Sequence, residues 1–144
     1  EMSAQRIAAL QQAIDTVPGK LEPILAAFVE PALAMAQDRH GGGAFIRVIA
    51  RAYAESNAGL RKFLSDQYGH VPRAFAKAIH ACVPELSKEE LYRRLDFLSG
   101  ALTYAMADFG LIKRPAGVSD ATHRQRAAKS LIRFAVAGFH ADAS

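Results

Sequence analysis

The sequence predicts an all-α fold, an antiparallel bundle of about six helices, and three observations carry that prediction. Alanine supplies 29 of 144 residues, while threonine occurs three times and tryptophan never. Such a composition favours helices over a β-sandwich or barrel. Apolar residues recur at 3–4 spacing along nearly the whole chain, with glycine and proline as punctuation. Hydrophobic residues make up 51% and charged residues 22%, the balance of a globular domain and not of a disordered tail.

A first helix is expected from about Ser3 to Val17, with Ile7, Leu10 and Ile14 on one side and Pro18-Gly19 as its stop. A second runs from about Leu21 to Asp38. Pro23 falls in its first turn, where proline is tolerated, and Pro31 falls mid-helix, where a kink is expected. Gly41-Gly42-Gly43 breaks the chain before a third helix, about Ala44 to Glu55. A fourth, about Ala58 to Ala81, contains Pro72 and is expected to bend or break near Gly69-His70. The fifth, from Ser87 to about Gly110, opens with a capping box, Ser87 followed by Glu90. Leu91, Leu95, Leu98, Leu102 and Ala105 then follow at 4-3-4-3 spacing as a near-heptad seam. Phe97, Ala101, Tyr104 and Asp108 are expected to form a second buried face beside it, so this helix is expected to pack in two directions. Ser119 or Asp120 caps a sixth helix that reaches about Phe139.

The net charge of +4 is concentrated at the end of the chain. Residues 1–112 balance 12 Lys/Arg against 12 Asp/Glu, whereas residues 113–144 carry six cations and two aspartates. Arg126, Lys129 and Arg133 share one helical face with no aromatic residue among them, the pattern of a solvated face and not of a nucleic-acid contact. Cys82 is the only cysteine, which excludes an internal disulfide and a cysteine-based zinc site. No uninterrupted apolar run reaches membrane-spanning length. With no secretory leader in view, the expectation is a cytoplasmic protein without a membrane partner.

Catalytic signals are missing. Five histidines make no Glu-x-x-His or His-Glu-x-x-His pair, so neither a bundle dimetal centre nor a zincin site is expected. Asp66 and His70 are four residues apart and could touch on one helix turn, a weak acid–base signal because surface pairs of this spacing are common. The triple glycine lacks a following Gly-Lys-Ser/Thr and reads as a helix stop. Ala116-Gly117-Val118-Ser119 imitates a helix-turn-helix turn, but Lys113-Arg114-Pro115 intrudes where the preceding helix should end, so the segment reads as an interhelical loop. No catalytic residue, cofactor or metal ligand is nominated.

Three stretches point to a family: residues 21–33 (LEPILAAFVEPAL), 42–51 (GGAFIRVIAR) and, most strongly, 84–102 (PELSKEELYRRLDFLSGAL). In these the sequence resembles the C-terminal domain of TetR-family transcriptional regulators, most closely the PsrA-like, fatty-acid-responsive branch. The resemblance implies that residues 1–144 are a single ligand-binding and dimerisation domain. The family's N-terminal DNA-binding domain would lie outside this chain, and the first helix would connect to it. It further implies a homodimer built on the last two helices, contact with operator DNA only through that missing domain, and repression relieved or altered by a hydrophobic effector. The expected interface is Leu91, Leu95, Leu98, Leu102, Ala105, Ala128, Leu131, Ala135 and Gly138. The expected pocket is lined by Phe28, Met35, Phe45, Ile49, Phe63, Tyr68, Phe75, Phe97, Tyr104 and Met106. Arg47, Arg51, His70 and Arg73 are candidate anchors for the polar end of a fatty acid or acyl-CoA-like ligand. The competing expectation is a helical partner-binding module without a small-molecule ligand.

Overall fold

The computed structural model describes residues 2–36, 69–107 and 110–143, with positions 44, 48, 51, 54, 55, 58, 59, 61 and 62 between them. Five helices are described: α1 (Met2–Thr16), α2 (Leu21–Met35), α3 (His70–Cys82), α4 (Lys88–Met106) and α5 (Asp120–His140). No strand occurs among the described residues. The expected third helix and the first part of the fourth lie largely outside them.

Local chemistry accounts for the ends of these helices. Beyond α1, Gly19 takes φ +76°, a left-handed turn that glycine adopts without a Cβ clash. The helix α2 continues through Pro31 as one element. The expected break near Gly69 is where α3 begins, and Pro72 falls in its first turn. Ser87 caps α4, its hydroxyl accepting from the Glu90 N–H at 3.1 Å. The other half of the expected capping box does not form. The Glu90 carboxylate accepts instead from Arg93 Nη1 at 2.8 Å and Arg94 Nε at 3.0 Å, because a guanidinium one turn away is a stronger donor than the cap amide. Ser119 caps α5 through the Thr122 N–H at 3.1 Å. The segment that imitates a helix-turn-helix is the loop before that cap, closed by Val118 N–H donating to Pro115 O, with Gly117 at φ +81°.

At the centre lies α2, which touches each of the other four helices. Leu21, Ile24, Leu25, Ala27, Phe28, Val29, Ala32 and Leu33 are all buried, so its apolar surface runs around the helix and needs neighbours on every side. Long side chains fix the helix directions. Arg6 of α1 reaches Phe28 O, Arg124 of α5 reaches Leu33 O, and Arg94 of α4 reaches the last carbonyls of α5. The helices α1 and α5 therefore run antiparallel to α2, and α4 antiparallel to α5. Inside, Phe28 meets Phe75 edge to face, with ring centroids 5.0 Å apart.

Candidate interface and effector site

The helix α4 carries apolar residues on two sides, and the structure decides which side meets the chain's own core. Leu91, Leu95, Leu98 and Leu102 are buried, between 2% and 4% exposed. The same four leucines are the seam expected at a dimer interface. Those leucines fill the single-chain core, because α4 lies against α2, α3 and α5 on that side. Ala128 and Ala135 of α5 are buried in the same core. Ala105 and Leu131 are half-buried against it. Gly138 alone of the expected interface set is exposed.

The second side of α4 stays open. Phe97 is 67% exposed and Tyr104 52%; on α5, Phe134 is 74% exposed. Between the two helices runs a mainly apolar groove of about 270 Å³, lined by Phe97, Leu98, Ala101, Leu131, Phe134, Ala135, Gly138 and Phe139, with Glu90, Arg94 and Ala141 at one end. Arg94 closes that end. Its Nη1 lies 2.8 Å from Gly138 O, 3.1 Å from Phe139 O and 2.6 Å from Ala141 O. Hydrogen bonds from Arg94 and Arg93 hold the Glu90 carboxyl below the usual carboxylate range.

The expected pocket residues separate into three groups. Phe28 and Phe75 are buried core residues paired with each other, and Met35 and Met106 are half-buried. Phe97 and Tyr104 are exposed on the outward side of α4. Phe45, Ile49, Phe63 and Tyr68 lie outside the described residues. Among the candidate anchors, Arg51 is exposed and pairs with Glu55 at 2.7 Å. His70 and Arg73 are exposed on the first turn of α3. Arg47 lies outside the described residues, as does Asp66, so the Asp66/His70 pair has no described geometry. Burial pushes the Cys82 thiol up, away from the thiolate form a nucleophile needs. Among the described residues no three His, Cys, Asp or Glu side chains gather to hold a metal ion. None of the described helices is long and apolar enough to cross a membrane.

Two residues escaped sequence reasoning. Arg94 caps a helix end more than forty residues away, and no local pattern announces that. Arg6 left a visible signal: it lies one turn before Leu10, so a cation stands on the apolar stripe of α1.

The described residues thus form a helical bundle with a buried central helix and an open apolar face on two helices. Residues 26–138, most of the chain, match the family described as Tetracyclin repressor-like, C-terminal domain. The chain belongs to that family, the ligand-binding and dimerisation domains of TetR-type regulators, which are typically non-enzymatic. No curated protein and no solved structure matches the chain.

Proposed function

We propose that this chain is the effector-sensing and dimerisation domain of a TetR-type transcriptional repressor. Two copies pair through α4 and α5. A hydrophobic effector, a fatty acid or acyl-CoA-like molecule, changes the operator affinity of a DNA-binding domain that precedes α1. The effector acts by its differential affinity for two arrangements of the bundle. The observation that carries the reading is the open face of α4 and α5. Phe97, Tyr104 and Phe134 expose large apolar rings beside a groove, next to the exposed Gly138. Rings so placed favour a partner that removes them from water. A symmetric pair of identical faces supplies one through an isologous contact.

Family membership supports an effector. The apolar surface of α2, with half-buried Met35 and Met106 able to adapt to an acyl chain, supports a hydrophobic one. Native mass spectrometry of the purified chain tests both halves. The expected result is a dimer carrying an adduct of fatty-acid mass that is released on denaturation. Phe97→Glu and Phe134→Glu are each expected to give folded monomer. A wild-type monomer, or variants that remain dimeric, would refute the pairing face. A dimer that carries no adduct and shows no thermal shift with long-chain fatty acids or acyl-CoA would refute the acyl effector.

A further inference from the structure

The helix α1 lies along α2 and also touches α3. Leu10 is its single buried residue among those described, and Ile7 and Ala9 are half-buried against the core. Its most specific contact is polar. Arg6 donates from Nε at 3.1 Å and from Nη2 at 2.7 Å to one acceptor, the main-chain carbonyl of Phe28. The same guanidinium stacks 4.3 Å from the centre of the Phe28 ring. No carboxylate neutralises it among the described residues, and its burial pushes its pKa down to about 10. At neutral pH it therefore remains a cation, stabilised by a carbonyl dipole and a ring face.

The acceptor lies at a particular place on α2. Pro31 contributes no N–H, so the ordinary helical bond to Ala27 O is missing, and its ring crowds the carbonyls of that turn. Phe28 O is the next carbonyl along. It serves an external donor at the one turn where the internal ladder is weakened. Phe28 in turn meets Phe75 of α3 at 5.0 Å.

We infer that Arg6 is the positioning residue of α1, clamping that helix to the proline turn of α2 through the carbonyl and the ring of Phe28. The clamp needs the planar fork of arginine, since two parallel N–H groups and a flat face act at once. Arg6, Phe28 and Phe75 thereby join three helices in one line of contacts. The regulatory consequence rests on the reading proposed above. If α1 leads to a DNA reader, a displacement of Phe28 is delivered to α1 through this clamp.

Hydrogen exchange on the unliganded chain tests the clamp and needs neither an effector nor an operator. Arg6→Met keeps an apolar stem, and Arg6→Lys keeps the charge without the fork. In both, amides of residues 6–16 are expected to exchange at least about tenfold faster, with those of α4 and α5 within about twofold of wild type. Unchanged exchange in α1, equal acceleration in every helix, or full retention of protection in Arg6→Lys would overturn the inference. Should Arg6→Met fail to fold, Arg6→Lys decides alone. A chain that proved monomeric or free of effector would refute the pairing face or the acyl effector and leave this result standing.

Discussion

The Glu90 carboxylate lies between Arg93 and Arg94, and its pKa is lowered first by the Arg94 hydrogen bond and then by that of Arg93. The sign of the resulting pH dependence follows from that direction. A carboxyl depressed in the folded state contributes stability that is complete above its unfolded value, near 4.5, and is lost as pH falls through the lower folded value. Glu90→Gln removes the charge at every pH. The melting temperature of wild type is therefore expected to exceed that of Glu90→Gln by a constant margin above about pH 5. The margin should shrink below pH 4.5 and vanish once Glu90 is protonated in both states. Thermal melts followed by circular dichroism between pH 2.5 and 7 check this. A margin independent of pH would show that the amide's shape, and not the missing charge, is responsible. The same residue marks how far local spacing reaches. Ser87 and Glu90 at capping-box distance announce where α4 starts, and the Ser87 half forms. Which donor the carboxylate chooses depends on two arginines that the box pattern ignores.

At the scale of elements, α5 ends without a glycine cap. Ala141, the residue that follows it, is extended, and Arg94 supplies the missing donors to the last carbonyls. A cation at a helix C-terminus also meets the negative end of the helix dipole. Arg94 is only 10% exposed in its side chain, so little water is at hand to replace it. Arg94→Met is expected to cost about 2 kcal/mol, read as a lower urea midpoint with unchanged slope. Exchange should accelerate chiefly at residues 136–141. A loss spread evenly over α4 and α5 would argue for a general packing defect instead. Helix ends were largely legible in the sequence because caps, glycines and prolines act within a few residues. The inward side of α4 was not. Leu95 and Leu98 on one side and Phe97 and Tyr104 on the other satisfy the same periodicity. The choice was made by α2, which precedes α4 by more than fifty residues. The expected effector lining was only a list of aromatics. Phe28 and Phe75 found each other in the core, a pairing that spacing along one helix cannot express.

For the whole molecule, the two sides of α4 imply two kinds of stability that a single measurement separates. The buried side acts within one chain. Leu98 is 4% exposed and packs in the central core, so Leu98→Ala is expected to cost about 2–5 kcal/mol at any protein concentration. The open side acts between chains if the proposed pairing holds. Dissociation then accompanies unfolding, and the melting temperature depends on protomer concentration by mass action. A hundredfold rise in concentration should raise the wild-type melting temperature by about 4–5 °C, given the unfolding entropy of two such chains. Phe134 is 74% exposed and gives the isolated chain little packing, so Phe134→Glu should leave the melting of dilute protein almost unchanged. In that variant the concentration dependence itself should disappear. Leu98→Ala should show the opposite pattern, a lowered melting temperature that still rises with concentration. Differential scanning calorimetry across that concentration range distinguishes the two. A wild-type melting temperature that ignores concentration would place the rings of α4 and α5 outside any dimer contact, and the pairing face would have to be sought elsewhere on the bundle.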